Sequence, residues 1–374
     1  WLPLDPPATA DATIGGLVAL AASGPLRTGH GTPRDMALGV EIATGDGRLL
    51  RFGGRVVKNV AGYDAVRLAV GSRGRLGVIT GLFLRVRGAP RADRTIAIAC
   101  GPDSDGARRG AELALAVRDS ASCDALELIS PSVAATIGGL PSGWTLLVRM
   151  LGRDAAVSDG VDRVRRIVGN AAGAKTVGAN AGGANAGGAK TVGANAGGPY
   201  AGGPYAGGAG RLAEIPNVVW TALARQEANA TTALRLTGRP SDVAEGLAAL
   251  SRGQDTGTSE MSGGPGPGWF IASHAAEGII RLWRTDPGPA TTDPSDMPGA
   301  WGELIRNGDW ISSYDRGSRP VAAPYGETPG GSPVSGPVEG SAREQPAQLR
   351  RDLTDRLRNV FDPAGIMRGA GDFE

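Results

Sequence analysis

Along the first 90 residues, short apolar runs alternate with glycine-rich turns. Residues 40–43 and 49–52 flank Gly45-Asp46-Gly47. That pattern predicts strand, tight turn, strand, because Asp-Gly accepts the positive φ of a hairpin turn. From Val78 to Val86 the alternation puts Val78, Thr80, Leu82, Leu84 and Val86 on one face and Ile79 and Phe83 on the other. Both faces are largely apolar, so a buried strand is expected. Residues 91–170 alternate in type. Residues 95–99 and 145–150 read as strands. Residues 105–119 and 157–168 read as helices, the second with Val161, Val164, Ile167 and Val168 at helical spacing. Further on, 218–220 and 231–237 predict strands, and 241–250 predicts a helix capped by Ser241. Residues 269–273 and 278–283 predict a hairpin, and 345–360 a polar helix. Trp220, Trp269, Trp283, Trp301 and Trp310 are expected as core anchors. Strand and helix in this order predict an α+β fold.

Residues 170–210 break the pattern. A unit of the type NAAGAKTVGANAGG is repeated and followed by two copies of PYAGG. These units carry only Val177 and Val192 as large apolar residues, too few to stack as a solenoid, so an inserted loop is expected. Residues 257–268, 285–299 and 322–340 are glycine- and proline-rich loops. The chain is therefore expected to divide into residues 1–90, residues 91–285 with the insertion inside them, and a loop-rich segment 286–374.

Composition narrows the function. Among 374 residues the formal charge is +2, which argues against a nucleic-acid or polybasic membrane binder. No run of about 18 apolar residues exists to span a membrane, and the prolines near Trp1 break any signal-peptide pattern. Two cysteines, Cys100 and Cys123, cannot hold a four-thiolate zinc site or an iron–sulfur cluster. They suggest a reducing interior instead of a disulfide scaffold. Only His30 and His274 are present, so paired-histidine metal motifs are absent and no metal is expected. His30, between glycines, reads as a loop residue open to water, and His274 as a structural residue. The nucleophile elbow, the P-loop and the strand–GxGxxG–helix context are also missing.

What remains is a set of small-residue turns: 12–16, 22–25 and 29–31. Consecutive peptide N–H groups in such turns form concave anion sites, and glycine lets a ligand approach the backbone. Thr13 and Ser23 can add hydroxyls, and Arg27 or Lys58 a countercharge. Glycine turns also join strands in every protein, so these turns alone leave both readings open.

The stretches LPLDPP, ATIGGLVALAASGP and GTPRDMALGVEIATGDGRLLRFGGRVVKNVAGYDAVRLAVGSRGRLGVITGLFLRV settle more. They resemble the second half of an FAD-binding domain of the vanillyl-alcohol-oxidase (PCMH) type, and more narrowly the FAD-binding E subunits of bacterial glycolate oxidase. Phe361-Asp362-Pro363-Ala364-Gly365-Ile366 resembles the terminal motif of the same family. The resemblance implies a split architecture: an FAD domain in 1–90, an α+β cap in 91–285, and a tail that returns to the FAD domain. It implies that Thr13, Ile14, Gly15 and Gly16 face the pyrophosphate, and that Ser23 and Gly24 hold the next turn. Gly74, Gly77, Val78 and Ile79 would follow the adenosine, and Pro3 and Leu4 the flavin edge. Tyr63 and Asp64 would brace a loop. The family's glycine-rich phosphate loop lies upstream of LPLDPP, so a preceding segment carrying it is expected; the chain starts without Met. The implied function is the FAD subunit of a multi-subunit glycolate (2-hydroxy acid) dehydrogenase. Its partners would be a catalytic flavin subunit and an iron–sulfur subunit, in the cytoplasm or on the inner face of the plasma membrane. The catalytic subunits are expected to carry a HxGDGNxH signature, which is missing here, so no catalytic residue is assigned and the resemblance leaves His274 a structural or flavin-edge residue. A flavin-less structural subunit and a self-sufficient FAD oxidase are the rival readings.

Overall fold

The computed structural model describes residues 1–7, 12–55, 64–176, 210–255, 269–285 and 311–316. The chain forms two compact units. The first contains Trp1–Gly24 and Gly31–Arg87, and the second Pro25–His30 and Gly88–Arg316. Helices α1 (Ile14–Ala19), α2 (Arg27–His30), α3 (Pro33–Met36) and α4 (Ala65–Ala69) are short. All but α2 lie in the first unit. Lys58, Tyr63, residues 177–209 of the repeats, Trp301, Trp310, the 345–360 helix and the FDPAGI motif lie outside the described residues; the first repeat, expected as loop from residue 170, instead continues a helix that runs Asp154–Thr176.

The first unit is built on strands β1 (Ala37–Ala43), β2 (Leu49–Gly53) and β3 (Val78–Leu84), in the order β2-β1-β3. The hairpin forms as its turn residues predict: the Gly47 amide donates to the Thr44 carbonyl at 3.0 Å with φ at +81°. Val40 and Ile42 of the central strand pack with Val66 and Ala69. Strand β3 departs from expectation. It is an edge strand, and Val78 (56% exposed) and Phe83 (42%) are open. A register shift between Glu41 and Ile42 lets Ile79 and Leu82 face the same core, although plain alternation assigns them to opposite faces.

The second unit is an eight-stranded antiparallel sheet. Its strands are β4 (Ala92–Gly101), β5 (Ala125–Ile129), β6 (Trp144–Gly152), β7 (Leu212–Ile215), β8 (Thr232–Thr237), β9 (Phe270–His274), β10 (Ile279–Arg284) and β11 (Ile311–Arg316). Their order is β11-β8-β10-β9-β5-β6-β4-β7. Each half, β7-β4-β6-β5 and β11-β8-β10-β9, shows the strand order of a split βαβ unit, and the halves meet where β5 pairs with β9. The helices are α5 (Ser104–Ser120), α6 (Pro131–Ile137), α7 (Asp154–Thr176), α8 (Val218–Ala228) and α9 (Val243–Asp255). One sheet face carries Ile96, Ile98, Leu126, Leu128, Leu146 and Leu282 into a core with α5, α7 and α9. Side chains alternate along a strand, so Thr95, Glu127, Thr145, His274 and Arg281 fall on the other face. Trp220, Trp269 and Trp283 are buried as expected, as is Trp144.

Two sequence expectations are corrected in this unit. Residues 218–220 begin helix α8 instead of a strand. The β-branched pair is followed by a run of strong helix formers, and Val219, Trp220 and Leu223 make its buried face. Ser241 does not cap α9. It sits in a 3₁₀ turn, Pro240–Asp242, and its hydroxyl donates to Asp242 Oδ1 at 2.8 Å. Both cysteines are free thiols. No helix among the described residues is long and apolar enough to cross a membrane.

Candidate functional site

In the first unit, Thr13 caps α1: its Oγ1 accepts from the Gly16 amide at 3.0 Å. The far end of α1 is closed by the next turn. The Gly71 amide donates to Val18 O at 3.1 Å, and the Arg73 amide to Ala19 O at 2.9 Å. Ala21, Gly71, Arg73, Gly74 and Gly77 all take positive φ. Gly15 lies against Ile79, where an added Cβ would come within 3.2 Å of its carbonyl oxygen. Residues 13–16 and 74–79, far apart in sequence, are thereby neighbours. Ile14 (45% exposed) and Val78 (56%) are open apolar side chains beside that contact. Gly24 packs on Asp5, where a Cβ would overlap the Asp5 carbonyl, and Gly77 packs as closely on Ala43. Ser23 and Pro3 are buried, and Leu4 is half-buried. Asp64 caps α4 through the Arg67 amide at 3.1 Å.

Several amides in these turns serve the fold. Gly16 is held by Thr13, Arg75 donates to Ser72 O at 3.0 Å, and Gly77 donates to Gly74 O at 3.3 Å. The first-turn amides of Ile14 and Gly15 have no acceptor within their own helix. A dinucleotide fits the site in one respect: its flat rings would cover the open Ile14 and Val78 side chains and recover apolar surface.

Arg27 belongs to the second unit, whereas the other described candidates belong to the first. Its Nε meets Glu277 Oε2 at 2.9 Å, and burial lowers its pKa. His30 is not a water-exposed loop residue. It ends α2 with its side chain 9% exposed, and its Nε2 lies 3.0 Å from Asp124 Oδ1. Enclosure follows from Gly29, whose lack of a Cβ lets the backbone press onto Asp124.

The second unit also holds a buried ionic chain that pattern reading missed. Glu127 is fully buried. Its Oε2 lies 2.8 Å from His274 Nδ1, and its Oε1 lies 2.9 Å from Arg281 Nη2. Arg281 also pairs with Glu227 through Nη1. Burial pushes the Glu127 carboxyl up, but Arg281 and His274 overcome it and hold it below its ordinary value. The two carboxylates in turn raise the pKa of Arg281 against its burial. The available signal was a lone charge inside an apolar run, Glu127 in ALELI and Arg281 in IIRLWR. Among the described residues no group of three or more His, Cys, Asp or Glu is placed to hold a metal ion.

Residues 1–53 match the family described as FAD binding domain. Over 96 residues the chain is 51% identical to glycolate oxidase subunit GlcE of Escherichia coli, covering 25% of this chain and 27% of that protein. Over another 96-residue alignment it is 36% identical to glycolate oxidase subunit GlcD of Bacillus subtilis, covering 26% and 20%. The chain thus spans about a quarter of the length of these curated relatives. Among solved structures, an alkyldihydroxyacetonephosphate synthase superposes with a TM-score of 0.55 at 13% identity, covering 98% of this chain and 59% of that one. A chitooligosaccharide oxidase gives 0.51 at 13% identity, covering 96% and 70%. At such identity these two establish the fold alone. Residues 1–53 of this chain are therefore similar to an FAD binding domain, and the rest of the chain is matched to solved structures in fold alone.

Proposed function

We propose that this chain is the FAD-binding subunit of a multi-subunit glycolate (2-hydroxy acid) dehydrogenase. The reading is supported by the meeting of residues 13–16 with 74–79 beside the open Ile14 and Val78, and by the 51% identity to GlcE over 96 residues. Thr13, Ile14, Gly15 and Gly16 would lie along the pyrophosphate, and Ser23 and Gly24 would shape the next turn. Gly74, Gly77, Val78 and Ile79 would line the adenosine, with Pro3 and Leu4 at the ring edge. Lys58 remains a candidate countercharge, while Arg27 already faces Glu277. When bound, FAD would supply the two-electron chemistry of hydroxy-acid oxidation. The protein's own contribution is to hold the cofactor and exclude water. Electrons would leave to an iron–sulfur partner, and substrate oxidation would be shared with a second flavin subunit. The complex would work in the cytoplasm or on the inner face of the plasma membrane.

A flavin-less structural subunit is the second reading. It is favoured by the use of the Gly16, Arg75 and Gly77 amides within the fold. Titrating the full chain with FAD, followed by flavin fluorescence, separates the two. Saturable quenching supports the flavoprotein. A chain that stays colourless yet co-purifies with its partner subunits supports the structural role.

A further inference from the structure

Within the first unit, the turn between α4 and β3 reads GSRGRLG and carries two cations, Arg73 and Arg75. Both residues are half-buried. Among the described residues neither guanidinium makes a hydrogen bond or an ion pair, and Arg75 Nε is buried without an acceptor. The acids that could meet them are engaged elsewhere. Glu41 pairs with Arg51, Asp46 with Arg48 and Asp64 with Arg67, while Asp35 accepts from the Thr32 amide and hydroxyl. Trp1–Gly24 and Gly31–Arg87 together hold ten Lys and Arg against six Asp and Glu, so the spare charge is positive. The backbone of the turn is closely fixed. Arg73 takes φ at +53°, where a side chain is strained and glycine is not. It is held there by its amide, which donates to Ala19 O of α1 at 2.9 Å, and by the Arg75 amide, which donates to Ser72 O at 3.0 Å. Between the two arginines the surface is open: a Cβ on Gly74 would meet nothing within 4 Å.

We infer that Arg73 and Arg75 bind the pyrophosphate of FAD at its adenosine side. The inference rests on the flavin reading above, in which Gly74, Gly77, Val78 and Ile79 line the adenosine. A half-buried guanidinium gives up water, and an anion restores the hydrogen bonds that water made. Its planar fork of N–H donors matches the oxygens of a phosphate. The strained backbone at Arg73 sets a cation in a place that suits glycine better, and strain of this kind collects where a ligand is held. Because the Arg73 amide is tied to α1, the two arginines and the Thr13–Gly16 turn belong to one framework. The countercharge is thereby drawn from the turn itself, where Arg27 is already paired with Glu277.

The test is FAD titration of the full chain by flavin fluorescence, at low and at physiological salt, with ADP and adenosine as competitors. In the wild type, FAD affinity is expected to fall as salt rises, and ADP is expected to compete better than adenosine. Arg75→Gln and Arg73→Gly are each expected to weaken FAD binding about tenfold, to flatten the salt dependence and to narrow the gap between ADP and adenosine. Arg73→Gly also relieves the positive φ, so its melting temperature is expected to hold or rise while affinity falls. An arginine with a merely structural role would not give that split. Arg75→Lys keeps the charge and is expected to recover part of the affinity. Variants that bind FAD as the wild type does, or that keep its full preference for ADP, overturn this inference and leave the flavin reading intact. FAD uptake by the wild type without salt dependence overturns it too, whether or not the variants fold. Absence of FAD uptake by the wild type removes both.

Discussion

At position 127 a carboxylate is enclosed in the second unit with His274 and Arg281 as its partners. Removing one member of such a group costs about 3–5 kcal/mol, because the other charges stay buried. Glu127→Gln is expected to lower stability by that order in urea denaturation. The pH dependence follows from the direction of the shift. The folded-state pKa of Glu127 lies below its ordinary value of 4.5, so its contribution is complete above that value and is lost as pH falls through the folded one. Wild-type stability should therefore fall more steeply on acidification than that of Glu127→Gln, which urea melts across the acid range will show. The two thiols give a separate expectation. Burial pushes Cys100 up to about 12 and Cys123 up to about 11, so neither forms thiolate near neutral pH. Alkylation followed by mass spectrometry should label both slowly in the native chain and readily after unfolding. Single positions were legible where local chemistry decides them, as at Asp46-Gly47. They were illegible where a distant partner decides, as for Glu127.

Elements show the same division. The β1–β2 hairpin, helix α5 and the β9–β10 hairpin stood in the sequence, because turn residues and apolar spacing specify them within one window. Strands β5, β7 and β11 were missed. Each is short, and each is made a strand by pairing with residues far along the chain. Helix α8 was misread because Val218-Val219-Trp220 favours a strand locally, while the helix is fixed by a tertiary chain of hydrogen bonds. Trp220 Nε1 donates to Thr95 Oγ1 at 2.8 Å, Thr95 Oγ1 donates to Asn217 Oδ1 at 2.6 Å, and Asn217 Nδ2 donates to Asp93 O at 2.9 Å. Thr95→Val keeps the shape and removes the middle link, leaving buried polar atoms unpaired. A loss of about 1–3 kcal/mol is expected, read from the urea midpoint.

At the scale of the molecule, the mixed α and β content was readable; the chain passes between its two units after Arg87. The membership of Pro25–His30 in the second unit was not, since Asp124 and Glu277 decide it from roughly a hundred and more residues away. The candidate site divides in the same way. Residues 13–16 and 74–79 are candidates through their resemblance to FAD domains, whereas the charge opposite Arg27 emerged only from the fold. Gly29→Ala is expected to dislodge the segment, because the new methyl meets Asp124. A lower melting temperature with faster exchange at His30 is the expected result.

The join between the two halves of the large sheet has a mechanical consequence. Backbone pairing of β5 with β9 is limited to Leu128 with Ser273 and Ile129 with Ala272, extended by the Ser130 amide donating to Ile271 O at 2.9 Å. Elsewhere the ladders run longer, as between β4 and β6. Pulled apart by its ends, the sheet has a fault line where few rungs must break. The Glu127–His274 pair crosses that line like a rivet, so protonating Glu127 in acid removes a tie across this join.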